Sequence, residues 1–240
     1  MARTVVFHSH RGGTGKSTVA SNVAMLIASA GGRVAMVDTD IQSPALDGLF
    51  GLGQYESSLG DYLLGRCEIE AAAHPVGPPG LRLVPALGRS CRLGEIMATG
   101  YDVGLLPEGF NRLSAVYELD VLLLDTHTGL NNETMTAIAC ADVLVTVVRA
   151  ELAELVGAEA TVAMARPTDC RRSVVINMSP GGVDPEAARQ RAEQLYRAPA
   201  VVLPYAPEIS VLGGERILSE ARPNHSLVTE FRQLISVLLD

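Results

Sequence analysis

The sequence predicts an α/β fold, a mostly parallel twisted sheet with helices on both faces, on three grounds. Short apolar runs of strand length alternate with segments of helical periodicity almost throughout the chain. The core must be built from Val, Leu, Ile and Ala, because 48% of the residues are hydrophobic, only 4% are aromatic and Trp is absent; such residues suit strands buried on both faces. The first strand also gives way to a helix through a glycine-rich turn. At 240 residues, residues 1–240 are read as one domain, a size that sheets covered on both faces commonly reach.

The elements follow in order. Residues 4–8 alternate into a short apolar strand, and from Lys16 the apolar positions Val19, Val23, Leu26 and Ile27 recur at helical spacing until Gly31 and Gly32 end the helix. Residues 34–37 form a second strand that delivers Asp38 and Asp40 to its C-terminal end. Further strands are expected at 81–85, 121–124, 143–148, 173–176 and 200–203, with helix-like segments between them. Residues 74–80, HPVGPPG, are the richest in Pro and Gly and read as a surface loop. After His225, the residues Leu227, Val228, Phe231, Leu234, Ile235, Leu238 and Leu239 mark one face of a closing helix. Such a stripe is a core-packing face, and its single cation, Arg232, does not favour a membrane surface.

Charge and cysteine content narrow the function. The net charge of -8 disfavours indiscriminate attraction to phosphate backbones or anionic lipid. Cys67, Cys91, Cys140 and Cys170 are far apart and form no C-x-x-C pair, so neither a zinc site nor a disulfide framework is indicated. With no signal-peptide pattern and no apolar stretch near the ~20 residues that span a bilayer, a cytoplasmic location is expected. One detail stands out: of the 19 Lys and Arg residues, the only lysine is Lys16. Lysine is a compact point charge that enters a tight phosphate loop, whereas the planar guanidinium is too large, so the lone lysine reads as functional.

Lys16 lies in the run His10-Arg11-Gly12-Gly13-Thr14-Gly15-Lys16-Ser17-Thr18, after a strand and at the opening of a helix, the context of a phosphate-binding loop. Glycines let successive backbone N–H groups converge on phosphate, the helix adds its positive dipole end, Lys16 neutralises the β- and γ-phosphates, and the Ser17 hydroxyl can ligate Mg²⁺. The ordinary G-x-x-x-x-G-K-S/T pattern fails, since His10 stands at its first glycine. The loop instead resembles that of the MinD/ParA family of deviant Walker A P-loop ATPases, K-G-G-x-G-K-S/T, in all but its first residue.

That resemblance implies a P-loop NTPase fold of the MinD/ParA kind, binding of ATP and Mg²⁺, slow and partner-stimulated ATP hydrolysis, and an ATP-sandwiched homodimer that positions or assembles a cargo. In the family the first lysine of the loop reaches the partner's phosphates; here Arg11 holds that position. Two readings of Arg11 stand: a phosphate-directed arginine acting in trans, or the same preference for arginine seen across the chain. Val37-Asp38-Thr39-Asp40-Ile41-Gln42 is similar to the family's D-x-D-x-Q switch segment, with Asp40 standing 24 positions after Lys16. It implies that Asp40 orients or deprotonates the attacking water and that Asp38 is a partner of Mg²⁺. Asp125-Thr126-His127-Thr128-Gly129 is similar to the family's D-x-x-x-G run, which implies Asp125 at Mg²⁺ and the Gly129 amide at the γ-phosphate, with histidine and threonine where the family usually has prolines. Asn177 ends a strand as the family's adenine-contacting asparagine does. With no N-K-x-D pattern after it, ATP is favoured over GTP. Leu203-Pro204-Tyr205-Ala206-Pro207-Glu208 resembles the second base-side loop, and Ala221-Arg222-Pro223 the segment before the last helix.

The catalytic set so implied is Arg11, Lys16 and Asp40. The nucleotide-binding set is Gly12, Gly13, Thr14, Gly15, Lys16, Ser17, Thr18, Gly129, Asn177, Pro204 and Tyr205, and the metal set Ser17, Asp38, Asp40 and Asp125. His127 is expected near His8 and His10 at the strand ends, as polar lining in preference to a metal site. Arg189, Arg191 and Arg197 form the best cationic cluster, but Glu186 and Glu193 are interleaved with them, so a solvated helix face is favoured over a DNA patch. Three other functions remain open on this fold: a metal-delivery ATPase, which needs paired cysteines; a biosynthetic ligase, with a pocket within residues 55–112; and a degenerate ATP-binding scaffold. Neither the cargo nor an activating protein partner is named by the sequence.

Overall fold

The protein is described here by a computed structural model over residues 2–88, 93–151 and 169–240, and Cys91 lies outside these. Along the chain, β1 (Arg3–His8) leads to α1 (Lys16–Ser29), β2 (Val34–Asp38), α2 (Leu46–Leu49), α3 (Leu59–Leu63), a 3₁₀ turn (Ile69–Ala72), β3 (His74–Pro75) and β4 (Leu81–Val84). Then come α4 (Leu93–Thr99), α5 (Leu105–Val116), β5 (Val121–Asp125), α6 (Asn132–Ala139), β6 (Val143–Arg149) and β7 (Arg171–Ser179). The C-terminal part adds α7 (Pro185–Tyr196), β8 (Ala200–Pro204), α8 (Pro207–Val211), α9 (Leu218–Ala221) and α10 (Ser226–Leu239).

The strands form one sheet in the order β3-β4-β2-β5-β1-β6-β7-β8, parallel except for β3, which runs antiparallel to β4. All seven expected strands are present, mostly one or two residues longer than their apolar runs. The eighth corrects the reading of residues 74–80 as loop: His74 and Pro75 pair with Leu83 and Arg82 at the sheet edge. A two-residue ladder shows no alternation in sequence, and proline is tolerated at an edge.

Side-chain alternation along the strands divides the core in two. Val5 and Phe7 of β1 and Leu123 of β5 face one way, against Val19, Val23 and Ile27 of α1 and Leu227, Phe231, Leu234 and Leu238 of α10. Val6, Leu122 and Leu124 face the other way, against Leu106, Phe110 and Leu113 of α5 and Ala137 and Ile138 of α6. A third cluster seats Ala192 and Tyr196 of α7 on Val174 and Ile176 of β7. The strands therefore read as unbroken apolar runs because both of their faces are covered.

Local chemistry fixes several ends. Asn131 caps α6 by accepting from the Thr134 amide at 2.8 Å, and Asp184 caps α7, with Pro185 opening the helix. Asn22 of α1 accepts from the Ser219 amide and donates to the Thr18 carbonyl, each at 2.8 Å, which joins α1 to α9. On α7, Arg189 is paired with Glu186 and Glu193, and Arg197 lies just past the helix in the left-handed conformation. Among the described residues no helix is long and apolar enough to cross a membrane.

Phe231 is 1% exposed at the centre of the α1–α10 side, so Phe231→Ala is expected to cost ~3–5 kcal/mol of unfolding free energy. Denaturant titration measures this; a loss below ~1 kcal/mol would mean that α10 is not integral to the core.

Candidate functional site

Strands β1, β2 and β5 end level with one another: Phe7 is in register with Asp125, and Asp125 with Asp38. The chain leaves β1 at His8, turns through residues 9–15 and enters α1 at Lys16, so loop amides and a helix N-terminus gather at the carboxyl edge of the sheet. Gly15 caps α1 at φ 81°. A Cβ there would lie 2.3 Å from Asn177 Nδ2, which makes glycine a requirement of both conformation and space. Around Gly12 and Gly13 no atom stands within 4 Å of where a Cβ would be, so the loop has open room above it.

That room is a cleft of about 580 Å³ lined by the loop from Gly12 through Thr18, by Asp40 and Ser43, by His127 and Thr128, and by Gly214. Lys16 Nζ donates to Asp125 Oδ1 at 2.6 Å, with both side chains buried, and stands 3.5 Å from Ser17 Oγ. Thr14 Oγ1 is buried without a hydrogen-bond partner. An anion in the cleft would find the Lys16 ammonium, the loop amides and this hydroxyl, and the Ser17 hydroxyl and Asp125 carboxylate are the hard oxygen donors that magnesium takes. The residues present therefore fit a phosphate chain with a hard divalent cation.

Asp38 and Asp125 do not line the cleft themselves. Asp38 accepts from the amides of Asp40, Ala45 and Leu46 at 3.0, 3.1 and 3.2 Å, which folds residues 40–46 over the site. Burial, helped by the Asp125 charge, pushes the Asp38 carboxyl up to about 7. Thr39 is tied to the Asp125 carbonyl through its amide and its hydroxyl, at 2.9 and 3.1 Å. Asp40 Oδ1 accepts from the Ser43 amide at 2.9 Å and lies 3.9 Å from His127 Nε2. Burial raises the Asp40 carboxyl above the ordinary carboxylate range, against the opposing pull of the Ser43 amide, His127 and Lys16.

The remaining candidates occupy distinct positions. The Gly129 amide donates to the Ser9 carbonyl at 3.2 Å. Asn177 Nδ2 donates to the Thr14 carbonyl at 2.8 Å. The Tyr205 amide donates to the Ser179 carbonyl at 2.9 Å, and the Tyr205 ring, 55% exposed, lines a separate cavity of about 330 Å³ with Met178 and Pro180, one residue beyond Pro204 at the end of β8. Arg11 is exposed and is absent from the lining of its own cleft. Thr126 Oγ1 donates to the Phe7 carbonyl at 3.0 Å, so it accepts from His8 Nδ1, 2.9 Å away. Burial, with the nearby charges of Lys16 and His10, pushes His8 down to about 3. Of the three histidines expected together, His127 lines the cleft and His8 is buried beneath the strand ends; among the described residues no group of three His, Cys, Asp or Glu side chains could hold a metal ion by itself. Ser43, Ala45, Leu49 and Gly214 carried no sequence signal of a place in the cleft; the first three reach it through the Asp38-anchored loop and helix α2.

A family model described as an AAA domain matches residues 2–169. An uncharacterized ATP-binding protein of Methanocaldococcus jannaschii is 29% identical over 222 residues, 87% of this chain and 76% of that protein. The chromosome-partitioning ATPase Soj of Thermus thermophilus is 33% identical over 160 residues, which is 65% of this chain and 58% of Soj. The septum site-determining protein MinD of Pyrococcus horikoshii, solved in complex with Mg-ADP, has the same fold, with a TM-score of 0.83 at 22% identity over 99% of this chain and 95% of that one.

The neutral His8 sets a pH dependence. In the unfolded chain a histidine takes a proton near 6.5, while in the fold it resists protonation down to about 3, so the unfolded state binds more protons and stability falls as pH drops through that window. His8→Asn keeps a donor for Thr126 without the titration. Between pH 7 and pH 5 the wild type is expected to lose about 2 kcal/mol more than this variant, read from denaturant midpoints at the two pH values. Parallel losses would contradict a neutral, buried His8.

Proposed function

The chain belongs to the MinD/ParA family of P-loop ATPases, and from that premise we propose that it is a nucleotide switch: it binds ATP with Mg²⁺, hydrolyses it slowly, and pairs with a second copy around bound ATP to position or assemble a cargo. The observation that carries this reading is one cleft lined by both Asp40 and Lys16, the lone lysine of the chain, whose ammonium is paired with the buried Asp125. Lys16 and the loop amides would hold the phosphates, and Ser17 and Asp125 are the residues that would hold Mg²⁺, which when bound would neutralise phosphate charge. Asp38 supports the metal side from behind by fixing the loop. Asp40 orients the attacking water, and its raised affinity for protons suits it to receive one.

Asn177 and the 204–205 turn serve the base side, and the Gly129 amide reads the γ-phosphate. Arg11 gives the reading its dimeric form. An exposed cation that adjoins the cleft's loop in sequence and does not line the cleft suits service to a cleft in another copy. The mixed charge on α7 favours a protein partner over DNA, and the apolar face of α10 is spent on the core, which does not favour a membrane. A metal-delivery role needs paired cysteines, and the sequence holds no C-x-x-C pair.

Light scattering with ADP, with Mg²⁺ and ATP, and with a nonhydrolysable analogue tests the pairing. A dimer specific to the triphosphate is expected, lost in Lys16→Ala with nucleotide binding and lost in Arg11→Ala with binding retained. A monomer in every state despite measured ATP binding would sink the sandwich. Phosphate release tests the chemistry separately: Asp40→Ala should lower turnover by ~10²–10⁴-fold with nucleotide affinity nearly unchanged.

A further inference from the structure

His127 projects into the cleft beside Asp40, and its geometry gives it a task. Its Nδ1 lies 2.5 Å from the Thr128 carbonyl oxygen. A carbonyl only accepts, so in the neutral ring the hydrogen sits on Nδ1 and Nε2 presents a lone pair. That lone pair stands 3.9 Å from Asp40 Oδ1, too far for a direct hydrogen bond. Two acceptors at this separation are joined by one water donating an O–H to each. The side chains are 24% and 11% exposed, so water reaches both from the cleft.

We infer that His127 is a second catalytic residue of the hydrolysis proposed above, on which this inference rests: with Asp40 it holds the attacking water by both hydrogens and leaves the oxygen lone pairs for the γ-phosphorus. One anchor leaves a water free to rotate about a single hydrogen bond; two fix its orientation. In the step, the water oxygen bonds to the γ-phosphorus, and the bond from that phosphorus to the ADP oxygen breaks with its electron pair remaining on ADP. One water proton passes to Asp40, while the other stays hydrogen-bonded to Nε2 and departs with the phosphate.

The test uses the full chain with Mg²⁺ and ATP in single-turnover hydrolysis, comparing the wild type with His127→Ala, His127→Phe and Asp40→Asn, and measuring the affinity of each for fluorescent ADP. Both His127 variants are expected to turn over about 10²-fold more slowly with ADP affinity held within about twofold. Added imidazole should restore part of the rate to His127→Ala and none to Asp40→Asn. His127→Phe keeps a ring without an acceptor, so ADP binding by either variant reports an intact fold. Turnover within about threefold of the wild type, or a loss matched by an equal loss of ADP affinity, overturns the role of His127 and leaves the ATPase reading standing. A wild type that binds ATP and never hydrolyses it overturns that reading, and this one with it.

Discussion

The buried contact between Lys16 Nζ and Asp125 Oδ1 is the constraint around which the rest of the site is arranged. A charge taken out of water is costly unless it is paired, and removing either partner would strand the other in the interior. The pair joins the first turn of α1 to the end of β5, so the glycine loop cannot shift without disturbing it. Around it the strand ends are knit together: Thr39 onto the Asp125 carbonyl, His8 onto Thr126, and the loop after β2 onto the Asp38 carboxylate. The apolar faces of β1, β2 and β5 give this cluster a rigid floor. The parallel sheet brings residues distant in the chain to one edge, where loops and a helix N-terminus can act on a single ligand.

Several groups that the proposed function assigns to the nucleotide are engaged with the protein itself. Lys16 holds Asp125, the Gly129 amide holds the Ser9 carbonyl, and Asn177 holds the loop through the Thr14 carbonyl. Under the proposed function each of these exchanges one partner for another when a triphosphate binds. Binding is then coupled to movement of the loop, the β5 end and the β7 end together. Such an exchange of hydrogen bonds is what lets a ligand with differential affinity for two arrangements act as a switch.

Much of this was legible in the sequence. The strands declared themselves as apolar runs because both faces are buried, and α10 by its stripe. The loop was legible because its chemistry demands glycines and one lysine at fixed spacing. Edge strand β3 was not, since two paired residues leave no period. The role of Asp38 was only half visible: a carboxylate at a strand end signals a site, but its three bonds to backbone amides arise from how residues 40–46 fold over it. Gly213-Gly214 marks a turn in the sequence, but nothing local says that the turn reaches the cleft. The approach of His127 to Asp40 depends on two strand ends meeting across the sheet, which spacing along the chain does not encode.

Because Lys16 is the only lysine in the chain, lysine labelled with ¹³C at the ε-carbon gives a single side-chain NMR signal that reports the central contact directly. On titration with Mg²⁺ and ATP, that signal is predicted to move to a new saturable position, as the ammonium passes from the Asp125 carboxylate to phosphate, and to stay unmoved with adenosine. A signal that does not shift at saturating nucleotide, with ATP bound by an independent measure, would contradict the account that this lysine and this cleft form the phosphate site.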